Sequence, residues 1–363
     1  MKLILKISLV FLLLIPNCSF GEVDQEPIIS STKYYASFTG IVSSYLDYAP
    51  RGEISIKTAA NIAHYKVGYD KNGRILEISF FKGKIPSNDS YYRTHMVKCR
   101  YAKNKEIRTY FDKTGSKSNM WRHYYEGGNV HQEEFVLDDK GNKIELTFKD
   151  SLYSAVGNGT GTFLYKWKKI DYRSVIQEHY DKDGNATVYR NFFPFKIVRI
   201  TTDENGYSKY VSNIDSNNKI IFSKERGFAT LEVFFDDYGN ENGWGYLDEK
   251  GNLVNLNTPE EFGTALWMFT EKYRDIKLGT VESRSEKYYD KNKKRLANNG
   301  GVYEVRYTLD EYANLKTISY YNLDGQKQND TTSRFHRAEL IYNDLKERVK
   351  VLKYDTENKL IED

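Results

Sequence analysis

Proline is scarce in this sequence, with 6 residues among 363. Collagen-like repeats and PxxP ligands need far more, so both are excluded. Cysteine is rarer still, represented only by Cys18 and Cys99. With Cys18 inside or beside a leader, Cys99 has no intramolecular partner, and a disulfide-stapled mini-scaffold is excluded as well. No block of one charge sign occurs either: 54 Lys and Arg are interspersed with 50 Asp and Glu. A nucleic-acid binder concentrates positive charge in a patch or stripe, so nucleic acid is not an expected partner. Beyond the first residues there is no apolar run of the roughly 20 residues that a membrane helix needs.

Aromatic residues are abundant instead: 31 Tyr, 19 Phe and 4 Trp make up 15% of the chain, and apolar residues 39%. An intrinsically disordered chain does not carry that much surface to bury. The length suits about two domains or a repeat array.

Residues 1–21 read as a signal peptide. Lys2 and Lys6 form a positive start, Ile7 to Ile15 an apolar run, and Pro16 breaks the helix. Ser19 and Gly21 place small residues three and one before a cut between Gly21 and Glu22. A competing cut lies just before Cys18, where Ile15-Pro16-Asn17-Cys18 loosely resembles a lipobox and Cys18 would carry the lipid. Either way the expectation is a secreted or periplasmic chain, tied to a membrane only through a lipid anchor. Cys99 alternates with Val97 and Tyr101, which marks a small buried side chain on a strand rather than a nucleophile.

Self-similarity is the main signal. An aromatic residue, Asp, two variable residues and Gly recur at Tyr69-Asp70 to Gly73, Phe111-Asp112 to Gly115, Tyr180-Asp181 to Gly184, and Phe235-Asp236 to Gly239. Turn ends pair at an offset of 12: Gly206 with Asn218, Gly239 with Gly251, Ala313 with Gly325, Lys346 with Asn358. The first pair repeats after 33 residues, and so does the third. Asp at the first turn position accepts backbone N–H bonds, and Gly at the fourth adopts the left-handed conformation. The fold class expected is therefore all-β: an array of antiparallel hairpins, about nine units over residues 61–363. Residues 22–60 lack the repeat and read as an N-terminal capping segment.

These units resemble the YD-type repeats of the Rhs family, above all in Tyr69-Asp70-Lys71-Asn72-Gly73-Arg74-Ile75. They are also similar to the hairpin repeats of bacterial exported proteins of the MORN-variant and WG kind. The resemblance implies a repeat fold and an exported bacterial setting. Rhs proteins enclose a toxic domain in a large shell. This chain is too short to do so and lacks the Asp-Pro pair found at the end of such shells, so no toxin is implied.

One segment departs from the pattern. Thr258-Pro259-Glu260-Glu261 has the form of a helix start, and Phe262, Ala265, Leu266, Phe269 and Tyr273 follow at helical spacing. A helix packed on the sheet is expected over residues 258–274.

Chemical motifs find little support. Gly157-Asn158-Gly159-Thr160-Gly161 is followed by a strand-like stretch, not by the helix that a phosphate loop requires. Asp181, Asp183 and Asn185 open like a calcium loop, but Ala186 and Phe192 stand at its Gly and Glu positions. The six histidines show no metal-ligand spacing, and no Gly-x-Ser-x-Gly elbow occurs. No metal, cofactor or catalytic residue is assigned. Distant carboxylates could still meet in space, so an exported hydrolase remains the alternative function. The favoured one is a non-catalytic protein that binds a protein or glycan through its sheet surface. Tyrosine doublets must place one ring on each face of a strand. The ring before the turn's own aromatic residue is expected to face a partner, which nominates Tyr124, Tyr288 and Tyr320 for binding.

Overall fold

The computed structural model describes residues 28–39, 42–88, 93–120, 126–256 and 262–361. The turns are built as the sequence dictates. Asp70 Oδ1 accepts from the backbone N–H of Asn72 at 2.8 Å and of Arg74 at 2.9 Å. Asp181, Asp248, Asp290 and Asp355 each repeat this pair of bonds to the residues two and four positions on. The last turn residue has positive φ throughout, for example 82° at Gly184, 84° at Gly251 and 77° at Gly325.

Between the turns the chain alternates and extends. The first strands are β1 (Ser31–Phe38), β2 (Pro50–Ile54), β3 (Ala63–Tyr69), β4 (Ile75–Lys82), β5 (Ile85–Pro86), β6 (Met96–Ala102) and β7 (Lys105–Phe111). A one-turn helix, α1 (Ile56–Ala59), is capped by Ser55. The middle strands are β8 (Gln132–Leu137), β9 (Lys143–Lys149), β10 (Leu164–Lys169), β11 (Ser174–Tyr180), β12 (Ile197–Thr202), β13 (Ser208–Asn213), β14 (Thr230–Phe235) and β15 (Glu241–Leu247). The rest are β16 (Leu266–Asp275), β17 (Thr280–Tyr289), β18 (Arg295–Leu296), β19 (Glu304–Leu309), β20 (Leu315–Tyr321), β21 (Arg337–Tyr342), β22 (Arg348–Tyr354) and β23 (Leu360–Ile361).

Among the described residues every strand pairing is antiparallel, and together they join the strands into one open sheet. The order begins β2-β1-β3-β4-β6-β7 and then follows the chain, with β5 on β4 and β18 beside β17. Each 12-residue step is one strand between two turns, as β15 is between the turns at Asp236 and Asp248.

The sheet winds on itself, because the tips of later hairpins meet the first strands. Ala63 N donates to the Glu311 carbonyl at 3.1 Å, and Lys82 Nζ to Asn314 Oδ1 at 2.6 Å. Arg51 donates to the Tyr238 carbonyl at 3.0 Å, and Ser37 Oγ to the Leu278 carbonyl at 3.0 Å. Gly52 is needed at this contact, since a Cβ there would lie 2.8 Å from Leu278 Cα and its φ is 66°.

One face of the sheet carries the continuous core. Val67, Ile78, Val97, Tyr110, Phe135, Leu146, Tyr165, Val198, Val211, Leu231 and Tyr246 follow each other across it. Burying each such side chain stabilises the fold by about 1.5–3 kcal/mol. This is the inner face.

The helix expected over 258–274 is not formed. Residues 258–261, which hold the start signal, lie outside the described residues. Phe262 and Gly263 have φ of 39° and 76°, which no right-handed helix accommodates. From Leu266 the chain is strand β16, paired with β15 on one side and β17 on the other. Trp267, Phe269 and Glu271 alternate on the inner face, a period-2 pattern that coexisted in the sequence with the helical one. The sheet decides between them: a helix would leave the facing edges of β15 and β17 without ladder partners.

Candidate binding surface

Residues 42–48, between β1 and β2, lie against the inner face and touch five successive strands. Tyr48 meets Tyr110 of β7 at 3.4 Å between hydroxyls, and Ser44 Oγ donates to Glu133 of β8 at 3.1 Å. Lys143 of β9 donates to the Ser44 carbonyl at 3.0 Å, Tyr45 packs 5.8 Å from the Trp167 ring of β10, and Ser43 Oγ bonds Gln177 of β11. Neighbouring strands are about 4.8 Å apart, so the sheet must curve around this short segment to reach it from all five.

The contact is polar, with Arg108 and Lys143 buried and Asp47 reaching them from an exposed position. Arg108 lies between the rings of Tyr48 and Phe135, 4.6 Å from each, and pairs with Glu106 and with Asp47. Lys143 donates to Asp47 at 2.6 Å. Burial raises the Asp47 carboxyl, but Lys143 and Arg108 outweigh it and hold it below the usual carboxylate range. Burial, followed by repulsion from Arg108, lowers the Lys143 ammonium. Burial pushes the Cys99 thiol up to about 12, so it stays protonated beside this network. Burial also depresses His179 to about 3. These groups are occupied with one another and hold the segment in place.

The tyrosine rows are arranged differently from the expectation. Tyr124 lies outside the described residues. Tyr288 and Tyr320 lie on the inner face, not on the side away from the core. Tyr288 is directly opposite Trp267, and Tyr320 is directly opposite buried Val305. The equivalent Tyr110 is fully buried. At Tyr180, Tyr321 and Tyr354 the ring immediately before the turn faces outward, and basic side chains cover it: Lys166 over Tyr180, Arg306 over Tyr321 at 3.9 Å, Arg337 over Tyr354 at 4.3 Å. These rings are half-buried under cations.

The inner face opens beyond the plugged half, on β15, β16 and β17. Trp244 and Trp267 are half-buried with ring centroids 5.2 Å apart, and Trp267 stacks on half-buried Tyr288 at 5.8 Å. Carboxylates flank the rings. Trp244 Nε1 donates to Glu241 at 2.6 Å, and Arg284 pairs with Glu286 at 3.1 Å and Glu271 at 3.7 Å while lying 3.7 Å over the Phe269 ring. Burial raises both the Glu241 and the Glu286 carboxyl above the usual range. Flat apolar rings beside hydrogen-bonding carboxylates and a guanidinium suit a hydroxyl-rich ligand with apolar faces. Of the expected binding residues Tyr288 belongs to this cluster. Tyr320 lies further along the same face, beside Phe335 at 5.4 Å. Glu241, Glu271, Arg284 and Glu286 had no motif to reveal them, since only strand pairing brings them together.

Elsewhere the local motifs form turns. Asn158 accepts from the Thr160 and Thr162 N–H groups, and Asp181 from Asp183 and Asn185. Among the described residues no group of three or more His, Cys, Asp or Glu is placed to hold a metal, and no helix is long and apolar enough to cross a membrane.

No protein-family model matches the chain, and no curated protein matches it. Among solved structures the chain is similar to a porin-like protein from Bacteroides uniformis, with 13% identity, a TM-score of 0.27, and coverage of 68% of this chain and 88% of that one. It is also similar to the TcdB2-TccC3 structure, with 9% identity, a TM-score of 0.24, and coverage of 81% of this chain and 20% of that one. A Photorhabdus luminescens Tc holotoxin pore is similar at 10% identity and a TM-score of 0.21, covering 80% of this chain and 16% of that one.

Proposed function

We propose that this chain is an exported, non-catalytic repeat protein of YD-like type that binds a glycan on the inner face of β15–β17. The half-buried row Trp244, Trp267 and Tyr288, bordered by Glu241, Glu271, Glu286 and Arg284, carries the proposal. Sugar rings stack on aromatic faces while their hydroxyls bond carboxylates and guanidinium. Export rests on the leader-like residues 1–21, and anchoring on Cys18. Calorimetric titration of the chain with oligosaccharides of differing sugar composition tests the reading. One of them should bind, and Trp267→Ala should abolish the heat. If no oligosaccharide binds while an extended peptide does, the partner is a protein.

A second reading has one observation in its favour. Glu241 and Glu286 both have carboxyls raised by burial, the property a general acid needs. Release of reducing ends from a bound oligosaccharide, lost in Glu286→Gln or Glu241→Gln with binding retained, would make the chain a hydrolase.

A further inference from the structure

Four side chains on the plugged half of the inner face form a square that recurs on the open half. Across β7 and β8, Arg108 is opposite Glu133, and Glu106 is opposite Phe135. Across β17 and β16, Arg284 is opposite Glu271, and Glu286 is opposite Phe269. In both squares the guanidinium lies over the phenylalanine ring, at 4.6 Å and 3.7 Å, and pairs with the glutamate two positions away on its own strand. Glu106 precedes Arg108 whereas Glu286 follows Arg284, and the phenylalanine strand comes second in one case and first in the other. A half-turn about the sheet normal therefore superposes one square on the other.

The strand beyond the phenylalanine differs. Leu137, two residues from Phe135 on the side away from Glu133, is opposite Lys143 of β9. Trp267, two residues from Phe269 on the side away from Glu271, is opposite Trp244 of β15. Trp244 thus stands where the plugged half has Lys143. On the plugged half, Asp47 bridges Lys143 at 2.6 Å and Arg108 at 3.4 Å. Around that carboxylate the plug supplies a ring, Tyr45 against Trp167, and hydroxyls, Ser43 on Gln177 and Ser44 on Glu133.

The plug is a worked example of what covers this square. Residues 42–48 contain no basic side chain, so the two glutamates are covered without a cation from above. Their one carboxylate is matched by Lys143, and on the open half that ammonium is replaced by an indole whose Nε1 already donates to Glu241. A carboxylate laid in the place of Asp47 would meet only Arg284, itself shared between Glu271 and Glu286. Like charges brought together at a binding site are strongly disfavoured. Burial raises the Glu241 and Glu286 carboxyls, which weakens their demand for a cation as well. What remains to be supplied is the ring and the hydroxyls.

Resting on the glycan reading above, we infer that the glycan held on β15–β17 is uncharged: neutral sugar rings stack on Trp244 and Trp267 with their hydroxyls on the flanking glutamates, and uronic acids and amino sugars are excluded.

The test titrates the whole chain with oligosaccharides of glucose, galactose and mannose, each as the neutral chain, the C6-carboxylate and the 2-amino form. The neutral form of one backbone should bind, and its carboxylate and amino forms should bind about tenfold or more weakly. Trp244→Lys restores the ammonium of the plugged half and should favour the carboxylate over the neutral form. A charged form that binds the native chain as tightly as the neutral one would overturn the inference and leave glycan binding on this face standing. Retention of the neutral preference in a folded Trp244→Lys chain would overturn it too. If that variant does not fold, the comparison in the native chain decides alone. Failure of every form to bind would remove the glycan reading itself, and this inference with it.

Discussion

Lys143 Nζ lies 2.6 Å from Asp47 Oδ1, joining the middle of the sheet to a segment 96 residues earlier in the chain. Lys143 is buried, and its charge is satisfied by Asp47 and by the carbonyls of Ser44 and Tyr45. Asp47→Ala should therefore destabilise the chain by about 1 kcal/mol, since Lys143 loses its counter-charge, but Asp47 is exposed to solvent and the two carbonyls remain. Adding Lys143→Met should restore part of that loss. Urea midpoints of the two single variants and the double variant measure the coupling, and additive losses would show that the pair does not act as a unit.

Stability should fall in mild acid. His179 titrates near 3 when folded because burial excludes its charged form, against 6.5 for the free side chain. Between those values the unfolded chain holds the extra proton. The stabilisation is therefore complete above pH 6.5 and declines as pH drops toward 3, by up to about 1.4 kcal/mol per pH unit. Asp47, whose folded pKa is lowered, adds a further loss only below its unfolded value of 3.8. Thermal melts from pH 7 to pH 4 should show the decline in the native chain and a flatter profile in His179→Gln.

The two tyrosine rows should separate by stability. Tyr110→Ser empties a fully buried site and removes the bond to Glu133, for an expected loss of about 3 kcal/mol. Tyr321→Ser removes a half-buried ring beneath Arg306, for about 1 kcal/mol. Equal losses would mean that both faces of the sheet are core.

Gly325 has φ 77° and nothing within 4 Å of a Cβ built there. Gly325→Ala should therefore act through backbone conformation alone, for about 1 kcal/mol. In a repeat array the effect should stay local. Hydrogen exchange should accelerate in β20 and β21 and leave β8 and β9 unchanged.

The sequence makes the turns legible because their chemistry is local. Asp, two residues and Gly state the geometry without help from the rest of the fold, and the 12-residue spacing gives the strands. The facing of the rings was not legible. Tyr69 ends a strand at a turn inside a hairpin and bonds Tyr35 on the inner face, where the register shifts between Gly68 and Tyr69. Tyr321 ends one at a turn between hairpins and faces outward. Alternation along one strand cannot reveal which side the chain will later cover. For the same reason β16 read as a helix: Phe262, Ala265, Leu266, Phe269 and Tyr273 satisfy helical spacing, and the neighbours that make them a strand are far away in sequence. The binding cluster was hidden in the same way, with Glu241, Glu271 and Glu286 each on a different strand.

The inner aromatic face can be tested directly by tryptophan fluorescence. Trp167 is buried beside Tyr45 in the plugged half, whereas Trp244 and Trp267 line the open face. Titrating the chain with a binding oligosaccharide should shift the emission and shield it from acrylamide. The shift should persist in Trp167→Phe and vanish in the Trp244→Phe, Trp267→Phe double variant. A shift that survives loss of Trp244 and Trp267 would contradict binding on β15–β17.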